Sequence, residues 1–132
     1  MSASRPILSP YQIVGGTEKG AVSGNMATQI ISPVTVIQNL SMISYDVSWS
    51  GTSPVGVCDV QTSNTYAQNS DGSVANAGDW SSLPLSNTPA VSGNTGYGII
   101  EVDASAMYAI RFVYTPTSGT GTMAVTVSGK VQ

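Results

Sequence analysis

The stretch MISYDVSW, residues 42–49, decides the reading of the fold. Ile43, Tyr45, Val47 and Trp49 alternate with Ser44, Asp46 and Ser48, the period-two pattern of a half-buried antiparallel strand. The next five residues, SGTSP at 50–54, carry turn chemistry, and VGVCDVQT at 55–62 then reads as a return strand, so the two runs predict a hairpin. Near the other end, MYAIRFVYT at 107–115 and TMAVTVSGKV at 122–131 flank the turn-like PTSGTG at 116–121, which predicts a second hairpin. YGIIEVD at 97–103 adds another strand, and shorter ones are expected in ILSPYQ and between Ala27 and Leu40. The core is expected to hold Ile43, Tyr45, Val47, Trp49, Ile110 and Phe112.

Composition agrees with an all-β chain. Charged residues are only 8% of the 132, and the polar surface falls instead to Ser and Thr, joined by 14 Gly and 7 Pro. That mixture favours strands and turns over helices. Seven or eight short strands separated by turn signals predict a single antiparallel β-sandwich, jelly-roll or immunoglobulin-like, over residues 25–132. Residues 1–24, punctuated by Pro6, Pro10, Gly15, Gly16, Gly20 and Gly24, read as an extended N-terminal arm. Its apolar side chains, Ile7, Leu8, Tyr11, Ile13 and Val14, find no partner in the chain's own pattern and are candidate assembly contacts. Residues 63–96 read as a long decorated loop, interrupted near Trp80.

Several function classes lose support at this level. The net charge is −3 and the four cations, Arg5, Lys19, Arg111 and Lys130, are scattered, so no basic patch offers itself to nucleic acid. No run approaches the length of a membrane span, and the apolar run near the N-terminus is broken by Pro6, Ser9 and Pro10, unlike a secretory signal. With no histidine, Ser-His-Asp and Cys-His triads are impossible. Asp46, Asp59, Glu101 and Asp103 could pair as in a glycosidase, although solvated strand positions or partners for Arg111 describe them as well. No catalytic residue, cofactor or metal ligand is assigned.

Individual residues have bland and sharp readings. Cys58 reads as a buried small hydrophobe rather than a reactive thiolate, because GVCDV supplies no cation. NSDGSVANAGD at 69–79 resembles a calcium loop but lacks the closing acid of an EF-hand, so turn chemistry explains it. GNTGYG at 93–98 reads as a turn. Arg111 stands in an apolar strand and is expected to pair with a carboxylate, in the domain or across a subunit boundary. Trp49 keeps phase with the core, whereas Trp80 either packs its own loop or contacts a ligand or partner.

The order of short strings from residue 42 to 130 resembles that of small β-sandwich structural proteins of tailed bacteriophages. The strings are VQTSN at 60–64, Trp80 with LPL at 83–85, and IRFVYTPTSGTG at 110–121. The resemblance implies a non-enzymatic virion component, either capsid decoration (cement) or fibre-associated. Such a part would be assembled in the host cytoplasm and bind a capsid or other virion protein. The N-terminal segment has no counterpart in it. The low charge makes a homo-oligomer plausible as the working unit. The alternative is a carbohydrate- or receptor-binding module, with Trp80 and its loop on a glycan.

Overall fold

The computed structural model describes residues 7–17, 20–37, 40–104 and 107–130. Ten strands follow in order: β1 (Ile7–Val14), β2 (Ile30–Ile31), β3 (Thr35–Val36), β4 (Met42–Ser63), β5 (Ala67–Gln68), β6 (Val74–Asn76), β7 (Ser81–Ser82), β8 (Ala90–Val91), β9 (Thr95–Asp103) and β10 (Ala109–Lys130). The chain is all-β, with no helix among the described residues, and its sheets are antiparallel apart from an isolated Val14–Val22 bridge. They do not close into a barrel.

The two expected hairpins are absent. Residues 42–63 form one strand of 22 residues and residues 109–130 another, paired with each other from Met42–Lys130 to Ser63–Ala109. The Gly and Pro residues between the half-strands mark a bend in this ribbon, not a reversal of the chain. Val55 lies opposite Ser118 and Thr52 opposite Thr120, so β4 spends one extra residue between those two pairs. Between Pro116–Gly56 and Ser118–Val55 it is β10 that has one extra. Each is a β-bulge, and together they cancel in register while bending both strands.

The bulges also settle which side chains face inward. In β4 the buried positions are odd before the bend, at Ile43, Tyr45, Val47 and Trp49, and even after it, at Cys58 and Val60. In β10 the core side chains are even at Ile110, Phe112 and Tyr114 and odd at Met123, Val125 and Val127, while Ala109 and Val113, on the opposite parity, are buried as well. One inserted residue per strand switches the parity, so the same face of the ribbon stays inside as it folds. Tyr45, before the bend in β4, meets Phe112 on the other half of the ribbon with ring centroids 5.9 Å apart. All six core residues expected from the sequence are buried. Among the described residues the Tyr114 phenol and the Trp49 Nε1 have no hydrogen-bond partner, so each offsets part of what its ring contributes.

The described part of the segment read as an extended arm, residues 7–17 and 20–24, is built into the body. β1 pairs with β10 from Ile7–Lys130 to Val14–Val125, and Ile13 and Val14 are core residues at 3% and 0% exposure. Met26 N then donates to Gly121 O, β2 pairs with Tyr114 and Val113, and β3 with Ile110 and Ala109. Described pieces from Ile7 to Ile37 thus line the edge of β10 that β4 leaves open, bend included. The punctuation that suggested an arm marks irregular edge pairing. Pro10 falls inside the first register shift of β1, an edge position that tolerates a missing N–H. Leu8 and Tyr11 pack partly against the core, and the side chain of Ile7 lies outside the described residues.

On the other side of β4, β9 pairs with residues 42–50, while β7 and β8 pair with residues 61–62 and 56–57. The long decorated loop therefore contains sheet-edge strands, besides the small β5–β6 ribbon.

Candidate interaction site around Trp80

Trp80 enters the structure on the segment between β6 and β7. Gly78 stands at a φ of 80° just before it, a conformation that suits glycine, and a side chain there would press on the Tyr66 backbone. The Asn76 side chain accepts from Gly78 N, and Thr65 Oγ1 accepts from Asp79 N, which fixes the approach to the indole. Trp80 Nε1 donates to Ala77 O at 2.8 Å, and the ring lies 5.9 Å from that of Tyr66.

The other partner is Arg111. Its guanidinium carbon sits 4.2 Å from the centroid of a Trp80 ring, a cation–π contact, and its Nε donates to Gln61 Oε1 at 2.8 Å. The carboxylate partner expected for Arg111 is replaced, among the described residues, by an indole face and a neutral amide. Partial burial lowers the Arg111 pKa without neutralising it. The nearby Asp59 is engaged elsewhere, accepting from Val60 N and from the Ser82 hydroxyl.

The geometry joins strings that are remote in sequence. Gln61 pairs with Arg111 in one direction and with Ser82 in the other, and Leu83 N donates to Val60 O. Residues 60–62, 80–83 and 110–112, parts of the three strings, therefore meet on the half of the ribbon beyond the bend. Sequence reasoning had each string but not their meeting, because nothing in a periodic pattern reports that Gln61 lies opposite Arg111. Replacing Arg111 by Ala should lower stability by about 1–2 kcal/mol and expose the indole, read as a red shift of Trp80 emission in a Trp49→Phe background. Arg111→Lys should retain part of both.

The remaining sequence candidates separate. Asp46 lies beside Ile99 and accepts from the Tyr97 hydroxyl at 3.0 Å, while Glu101 is a diagonal neighbour on the same outer face. Asp59 belongs to the other half of the ribbon. Among the described residues no three His, Cys, Asp or Glu side chains group to hold a metal ion. In the loop read as turn chemistry, Asp71 accepts from both the amide and the hydroxyl of Ser73, which lower its pKa. A shallow cavity of about 370 Å³ beside β1 is walled largely by Gly15, Gly16, Gly24 and Gly121, with Ser23, Asn25 and Thr122 as its polar side chains.

Cys58 is 3% exposed, and burial pushes its thiol up to about 12. The native thiol should stay silent to a disulfide reagent near about pH 8 and react only on unfolding. The sign of the pH effect follows. Between the ordinary value of 9.0 and about 12 the unfolded chain releases this proton and the folded chain keeps it, so stability falls as pH rises through that window.

No protein-family model, no curated protein and no solved structure matches the chain. No helix among the described residues is long and apolar enough to cross a membrane.

Proposed function

We propose that the chain is a non-enzymatic structural protein of a tailed-phage virion, a capsid decoration (cement) protein or part of a fibre. It works as a homo-oligomer bound to a capsid or other virion protein. The observation that carries the reading is the meeting of residues 60–62, 80–83 and 110–112, parts of the three strings, around the Arg111–Trp80 contact. That parts of the strings which share an order with the phage proteins come together in this fold supports the reading. Within the same proposal the folded ribbon is an antiparallel β-sandwich, jelly-roll or immunoglobulin-like; the Tyr45–Phe112 contact between its halves supports this. The glycan-binding alternative asks for an open indole face, and Arg111 already occupies one face of Trp80.

The test is quantitative mass spectrometry of particles purified from the strain that carries the gene. The reading expects the chain in the particles at a fixed ratio to the main shell protein, and lost from them when the gene is removed. Complete particles lacking the chain, with the chain left in the soluble fraction, would overturn it.

A further inference from the structure

The sequence holds one Asp–Gly pair, Asp71–Gly72, and no Asn–Gly pair. A backbone nitrogen can attack the side-chain carboxyl carbon of the aspartate before it and close a five-membered ring. Glycine shields its nitrogen least, because it has no Cβ. Asp71 and Gly72 are both exposed at the tip of the β5–β6 ribbon, and a Cβ on Gly72 would meet nothing within 4 Å. Solvent and space therefore permit the reaction, and the turn decides whether it occurs.

Residues 70–72 form a turn that closes on a left-handed glycine, Gly72, at a φ of 88°. Asn69 N donates to Ser73 O at 2.8 Å and Gly72 N to Asn69 O at 2.9 Å, so the attacking nitrogen is tied across the turn. The carboxylate it would attack is tied as well. Asp71 Oδ1 accepts from Ser73 N at 3.0 Å and from the Ser73 hydroxyl at 2.6 Å, while Asn69 Nδ2 donates to that hydroxyl at 3.0 Å. The Ser73 hydroxyl foremost, and its amide after it, hold the Asp71 pKa below its ordinary value and keep the group ionised. A carboxylate is a poorer electrophile than a carboxylic acid, so cyclisation has to break the bonds on both sides.

We propose that Asp71–Gly72 is a modification site at which isoaspartate forms, held closed by Ser73 and Asn69 for as long as the β5–β6 turn stays folded. In the first step Gly72 N bonds to Asp71 Cγ and loses its proton, and a carboxyl oxygen leaves as water. In the second, water adds back to the imide: cleavage at Cγ restores aspartate, and cleavage at the main-chain carbonyl leaves isoaspartate. The product carries the main chain through the old side chain, one carbon longer, so the bonds between Asn69 and Ser73 do not re-form in the same register. The rate of modification follows the fraction of time that the turn is open. The inference is independent of the virion reading, since it requires only the turn.

The test incubates the folded full chain, the full chain in denaturant and a capped peptide of residues 67–76 in water enriched in heavy oxygen, and maps the label by mass spectrometry. The label should enter Asp71 in the peptide and in the denatured chain, and at least about tenfold more slowly in the folded chain, where the turn must open first. An isoaspartyl methyltransferase should mark the same residue. Ser73→Ala should speed labelling of the folded chain several-fold with its circular dichroism unchanged, while Ser73→Thr, which keeps the hydroxyl, should leave it slow. If Ser73→Ala unfolds the chain, Asn69→Ala takes its place and should also speed labelling, because it removes the bond that fixes the Ser73 hydroxyl. Equal rates in the folded chain and the peptide, no label at Asp71 in the peptide, or a folded variant labelled as slowly as the wild type would each overturn the proposal.

Discussion

Deleting residues 1–14 is expected to abolish cooperative folding. Ile13 and Val14 are buried in the core, and burial of side chains of this size contributes about 1.5–3 kcal/mol each. The deletion also strips β1 from the edge of β10, leaving backbone groups of residues 125–130 without their strand partner. Against a typical stability of roughly 5–15 kcal/mol, that loss leaves little or nothing. Thermal unfolding followed by circular dichroism should show no sigmoidal transition, or one at least about 15 °C lower. A truncated protein melting within a few degrees of the full chain would restore the free-arm reading.

The second large effect lies at the bend. Gly119 has a φ of 79°, and a Cβ on it would run into the Ser53 carbonyl oxygen across the bulged pairing. Gly119→Val combines a left-handed backbone unsuited to a β-branched residue with a clash against backbone that cannot swing aside. A cost of about 3 kcal/mol or more is expected, measured by denaturant unfolding. Gly72→Ala is the control. Gly72 also stands at a positive φ, 88°, but a Cβ there meets nothing within 4 Å, so only the conformational cost of about 1 kcal/mol should appear. Equal effects at the two sites would mean that Gly119 is not held against the Ser53 backbone as described.

Alternation is local, which is why residues 42–49 displayed their strand and buried face in the sequence, as β-branched and aromatic content did for the strand at 110–114. Connection is not local. A bulge and a turn use the same residues, and both break the parity of an alternating run, so SGTSP and PTSGTG looked like reversals although they bend a ribbon. The first residues misled for a related reason. Pro10 and Gly15 are what an irregular edge strand beside β10 tolerates, and in the absence of a partner they read as an arm. Around Trp80 the string was visible and its use was not. The indole's neighbours, Tyr66 and Arg111, come from the segment after β4 and the start of β10, and a carboxylate is the general expectation for an arginine in an apolar strand because an unpaired buried guanidinium is costly.

The placement of Arg111 on Trp80 and the packing of Tyr45 on Phe112 both depend on β4 and β10 pairing end to end through the bend. Cross-strand contacts in a nuclear Overhauser spectrum test this directly. The structure predicts backbone contacts between Tyr45 and Val127, between Gly51 and Gly121, and between Val60 and Phe112. Contacts that instead join the two halves of β4, such as Val47 with Val57, would show a hairpin and contradict the folded ribbon.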